Sequence, residues 1–208
     1  MNIRAESLTY WFFRLNGFLT IVNFVVHADQ RGESGTDADI LGVRFPYRAE
    51  LFNHPMEDYH EFKKISSRPY IAIAEVKRGL CDLNGPWTQP KRRNIHRVLR
   101  AIGIVPLEDI DNVAAALYSD GVYESNSVYI SLVSVGERPN NGLREKYPLV
   151  PQILWKDILA FIHQRFRKYR NVKTWHPNWD EDGHNLWDTF EQSRNDLGMF
   201  QQRIVVIP

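Results

Sequence analysis

The sequence predicts an α/β fold in which a mixed β-sheet is flanked by helices. Three observations carry that expectation. Apolar stripes of helical period alternate with short β-branched runs, and the elements read in the order helix, three strands, helix, strand, helix. One central run, Ile71-Ala72-Ile73-Ala74, is apolar on both faces, as in a strand covered from both sides. With 208 residues, 43% hydrophobic, 12% aromatic and 25% charged, the chain has the apolar content for a core and fits one domain, 1–208.

Leu8, Trp11, Phe12 and Leu15 fall on one helical face, and Gly17 can end that helix. Phe18 to His27 reads as a strand, Asp29 to Thr36 as a loop, and Ile40 to Phe45 as a second strand closed by Pro46. Tyr47 to Arg68 is a polar excursion with a short helix. Tyr70 to Lys77 is the third strand. After the Gly85-Pro86 turn, Ile95, Val98, Leu99 and Ile102 stripe a second helix, with Gly103 at its C-terminal cap. Val128 to Val135 is a fourth strand. The longest helix begins near Pro151, with Trp155, Ile158, Leu159, Ile162 and Phe166 on one face. Ile204 to Ile207 is an edge-strand candidate.

Arg14, Asn16, Gly17 and Asn23 interrupt the apolar stretch from Tyr10 to Val26, so it is expected neither to span a membrane nor to serve as a signal peptide. The single cysteine, Cys81, cannot form an internal disulfide, which fits a reducing compartment, most simply the cytoplasm. Net charge is +1, so affinity for nucleic acid must come from a local patch. The chain contains no P-loop, dinucleotide fingerprint or serine-nucleophile elbow.

The third strand carries the chemistry. Glu75-Val76-Lys77 follows its apolar run without a turn, and residues two apart on a strand share a face. Burying an acid and an amine there demands partners, and either a metal ion or an ion pair meets that demand. The second strand brings Asp37 and Asp39 to the edge of another apolar run. If the two strands are neighbours, Asp39 and Glu75 can converge as hard oxygen ligands suited to Mg2+ or Mn2+. Such an ion acidifies a water and neutralises phosphate charge, and a lysine beside it stabilises the transition state.

An Asp opening one strand and an acid-x-Lys on the next resembles the PD-(D/E)xK nuclease superfamily, the restriction-endonuclease-like fold. The resemblance covers roughly positions 5–135 and implies an αβββαβ core, with the C-terminal helix and tail, 149–208, packed on it as a helical extension. It implies that Asp39 and Glu75 bind the metal with the Val76 backbone carbonyl, that Lys77 assists the attacking water, and that Glu6 and Asp37 are further candidate ligands. Two departures bear on the subfamily. Ala38, not Pro, precedes Asp39, and the helix after Lys77 lacks a Gln-x-x-x-Tyr signature, although Gln89 lies just before it. The implied activity is hydrolysis of nucleic-acid phosphodiesters, with DNA expected as the substrate ahead of RNA. The alternative is a catalytically inactive nuclease-like module that binds nucleic acid or a protein.

Arg93, His96, Arg97 and Arg100 form a face opposite the second helix's apolar stripe, extended by Lys91 and Arg92; Lys91, Arg92, Arg93, Arg97 and Arg100 are candidate phosphate-backbone contacts. The same pattern also describes a solvated helix face. Arg165, Arg167, Lys168 and Arg170 close the long helix, where the helix dipole accounts for them. In the tail, His176 and His184 lack zinc-helix spacing, and Trp175, Trp179 and Trp187 are read as packing anchors. With so modest a charge, substrate grip is expected to draw on a second copy of the chain or a partner protein.

Overall fold

The computed structural model describes residues 1–27, 36–49, 56–172 and 178–207. In chain order the elements are β1 (Asn2–Arg4), α1 (Ala5–Leu15), β2 (Leu19–Val26), β3 (Thr36–Arg44), α2 (His60–Lys63), β4 (Tyr70–Val76), α3 (Gly85–Thr88) and α4 (Asn94–Ile102). They continue as α5 (Ile110–Asp120), β5 (Val122–Glu124), β6 (Tyr129–Gly136), α6 (Asn141–Lys146), β7 (Gln152–Leu154), α7 (Trp155–Tyr169), α8 (Glu181–Ser193), α9 (Leu197–Gln202) and β8 (Val205–Ile207). The loop expected at Asp29 to Thr36 lies, apart from Thr36, outside the described residues, as do Trp175, His176 and Pro177 of the tail.

A mixed sheet runs β2-β3-β4-β6-β5, and β7 joins the same edge of β6 as β5. β2, β3 and β4 are successively antiparallel, while β4 and β6 are parallel. β8 does form at the expected terminal run, but it pairs in parallel with β1 as a separate two-stranded sheet. The short strands β1, β5 and β7 and the helices α5, α8 and α9 extend the order read from sequence. Three-residue strands are too short to show a period, so only their ladder partners define them.

The alternation along β4 divides the molecule into layers. Tyr70, Ala72, Ala74 and Val76 face a cluster shared with α1, α7 and α8, whereas Ile71 and Ile73 face a cluster shared with α3, α4 and α5. Helices cover both faces, and this is why the run is apolar throughout. The first layer is aromatic: Phe12 meets Phe161 edge-on at 5.3 Å, and Trp11 meets Trp179 at 5.2 Å. Trp179 also stacks on Phe166, and Trp187 is buried beside it, so both tail tryptophans act as packing anchors. α8 approaches so closely that a Cβ on Gly183 would meet the Trp11 indole at 2.0 Å.

Two expectations need correction. Arg165 is not an exposed residue serving a helix dipole. It is fully buried and donates to Asp58 Oδ1 at 2.8 Å, because α7 packs that face inward against the chain before α2. β3 begins at Thr36 rather than Ile40, so Asp37 and Asp39 lie within the strand. Their polarity does not matter to the ladder, which pairs Val25 with Asp37 and Val26 with Thr36. Among the described residues no helix is long and apolar enough to cross a membrane.

Candidate active site

The site begins with a defect in the β2–β3 ladder. Pairing runs from Leu19↔Val43 to Val22↔Ile40 and resumes at Phe24↔Ala38, so Asn23 and Asp39 stand opposite each other without being paired. Asn23 has φ 52°, a left-handed conformation that asparagine tolerates better than most residues. Alternation breaks at the same level, since Ala38 and Ile40 are two apart yet join opposite layers. The local rotation turns Asp39 toward β4. There the regular ladder ends at Ile40↔Ala74, and the Val76 N–H donates to Asp39 Oδ2 at 2.7 Å. The N–H and C=O of one strand residue point to the same side, so the Val76 carbonyl also faces Asp39.

Burial pushes the Asp39 carboxyl up to about 6, against the lowering effect of the Val76 N–H; the neighbouring charges of Glu75, Asp37 and Glu6 raise it further, in that order. Asp39 therefore feels all three acids that the sequence marked as possible ligands. Asp37 is exposed and Glu6 half-buried on the first turn of α1. Among the described residues no three His, Cys, Asp or Glu side chains form a ready-made ion-binding group.

Glu75 is 4% exposed and fully hydrogen-bonded. Its Oε1 accepts from Lys77 Nζ at 2.6 Å and from the Asn84 amide, and its Oε2 accepts from the Trp87 indole at 2.6 Å. Lys77 Nζ also donates to Asn84 Oδ1 at 2.6 Å, closing a ring of three side chains. Asn84 and Trp87 were missed from sequence. The signal was present in part, because a buried Glu75 requires donors and the Asn84-Gly85-Pro86 turn follows closely. Nothing in the spacing fixes which of the intervening polar groups folds back.

The turn after α3 brings a cation close. A Cβ on Gly85 would meet the Gln89 amide nitrogen at 3.1 Å and the Arg92 guanidinium carbon at 3.4 Å, so Arg92 leans over the residue next to Asn84. Lys91, Arg92, Arg93 and Arg100 are exposed and Arg97 is half-buried. Arg93 sits at φ 53° at the start of α4 and contacts Asp111 at 3.3 Å, which half-buried His96 also approaches. Arg97 donates to the Arg92 carbonyl and to Asn94. The patch thus divides into cations engaged within the fold and exposed cations, of which Arg92 lies against Gly85.

Cys81 is buried with its thiol pushed up to about 11 by burial, which makes it a poor nucleophile. A cavity of about 510 Å3 opens among Tyr59, Tyr70, Tyr129 and the chain leading into β7. None of the candidate catalytic residues lines it. No protein-family model, curated protein or solved structure matches the chain.

Proposed function

We propose that this protein is a metal-dependent nuclease of restriction-endonuclease-like architecture, hydrolysing phosphodiester bonds of nucleic acid, with DNA expected ahead of RNA as the substrate. One observation carries the reading: Asp39 and Glu75–Lys77 come from adjacent antiparallel strands and meet at one end, with Asp39 bonded to the Val76 N–H. The donors fit a hard divalent ion such as Mg2+ or Mn2+. Asp39, Glu75 and the Val76 carbonyl offer oxygen; burial raises the Asp39 carboxyl first and the nearby acids raise it further, and a cation offsets both. Glu6 and Asp37 are near enough to act through their charge.

When bound, a divalent ion supplies positive charge against the phosphate and acidifies water at the site. Lys77, held by Glu75 and Asn84, presents an ammonium for the charge that builds on the reacting phosphate. Trp87 fixes Glu75 from beneath and screens it from solvent. Arg92, with Lys91 and Arg100, offers charge to phosphates flanking the scissile one.

The saturation of both Glu75 oxygens favours a second reading, a nuclease-like module that binds nucleic acid without cutting it. Cleavage assays separate the two. Single- and double-stranded DNA and RNA are incubated with Mg2+ or Mn2+, with and without chelator. The nuclease reading expects chelator-sensitive cutting and a fall of about 100- to 1,000-fold in Lys77→Ala with the fold intact. Equal rates in wild type and Lys77→Ala rule out the mechanism, and binding without cutting under every condition selects the module.

A further inference from the structure

Lys77 occupies the position from which a cation would approach Glu75. Its ammonium lies 2.6 Å from Glu75 Oε1, on a carboxylate whose other oxygen is held by Trp87. Asp39, whose Oδ2 is bonded to the Val76 N–H, stands on the neighbouring strand. The ring has one further property. Lys77 Nζ has a second acceptor, Asn84 Oδ1, at the same 2.6 Å, so leaving Glu75 does not strand the ammonium. An amine with two acceptors can release one at the cost of one charged bond rather than full desolvation.

We infer that Lys77 is the resident counter-ion of Glu75 and that, were Asp39 and Glu75 to hold a divalent ion, Lys77 would give up Glu75 Oε1 and stay on Asn84 Oδ1. Asn84 is then a positioning residue. It keeps the ammonium beside the reacting phosphate after the carboxylate is given up to the ion. In the metal-free state the ring satisfies a buried acid that would otherwise lack a counter-charge. The exchange weakens metal affinity, because the binding-competent arrangement has to be reached by breaking the Lys77–Glu75 contact. The inference rests on the nuclease reading and deepens it.

Two measurements on the intact chain test it. In calorimetry with Mn2+, wild type should bind, Asp39→Asn should bind more weakly, and Lys77→Met should bind about tenfold more tightly, since one charged hydrogen bond need no longer be broken first. In 15N-correlated spectra of wild type titrated with Mg2+, the Trp87 indole and Asn84 side-chain amide signals should move together and saturate with the metal. The Trp87 signal is identified by its loss in Trp87→Phe, and this second measurement stands even if Lys77→Met does not fold. Equal Mn2+ affinity in wild type and Lys77→Met, or saturable metal binding that leaves both signals in place, overturns the exchange while the metal site survives. Absence of Mn2+ binding in wild type and in Lys77→Met alike removes the metal site itself, and the exchange with it.

Discussion

Two buried carboxylates organise this protein, and they recruit their partners in opposite ways. Asp58 is bonded by Arg44 of β3 at 2.5 Å, by Arg48 at 2.7 Å and by Arg165 of α7 at 2.8 Å. The last partner lies 107 residues away in sequence. Glu75 takes Lys77, Asn84 and Trp87, all within 12 residues. The first cluster fastens α7 to β3 through the chain before α2. The second is a local device at the end of one strand, beside Asp39 on the neighbouring strand. A remote set of partners ties a carboxylate into the scaffold, whereas a local set makes it depend on one short stretch of chain.

The largest effect should come from the scaffold cluster. Asp58→Ala leaves buried guanidinium groups without their shared carboxylate and should cost roughly 3–5 kcal/mol in urea denaturation. Removing the Trp87 donor by Trp87→Phe should cost less, about 1–3 kcal/mol, since Glu75 keeps Lys77 and Asn84. If the second loss exceeds the first, the contrast between scaffold and site is reversed.

Asp39 sharpens the comparison through pH. Its folded carboxyl, at about 6, lies above the ordinary value of 3.8, so the folded state holds its proton more tightly. The stabilisation is complete below about pH 4 and is lost as pH rises through 6. Asp39→Asn should therefore raise Tm at pH 7.5 and leave it nearly unchanged at pH 4. A gain of equal size at both pH values would mean that the cost of a buried, charged Asp39 is not the cause. The smallest effect belongs to the basic turn. Arg92→Ala should lower the salt dependence of duplex binding by roughly 0.9 in log–log slope, the share of one phosphate contact. Arg93→Ala should do less, because Arg93 already contacts Asp111. Equal slopes for the two variants would erase the distinction drawn from Gly85 and Asp111.

Much of the fold was legible because helices and strands announce themselves over a few residues. The stripe Leu8, Trp11, Phe12, Leu15 lies in α1, and all four are buried. Gly103 does cap α4, at φ 64°. Glu75 and Lys77 share a face and touch, as their spacing required. Asp39 does lie on the strand beside them, although the pairing could only be supposed from sequence. Arg165 was misplaced because its helical position says which face it occupies and not what that face meets.

The chain's own period determined the layers, the central buried strand and the acid-x-Lys at its end, because side-chain direction repeats every two or 3.6 residues and needs no distant information. Tertiary structure alone decided that Asn23 would turn left-handed and swing Asp39 toward Val76, that Asn84 and Trp87 would fold back on Glu75, and that Arg165 would find Asp58. Each of these depends on which surfaces stack. A buried charge is tolerated only beside the particular group that packing brings to it, and no local pattern names that group in advance.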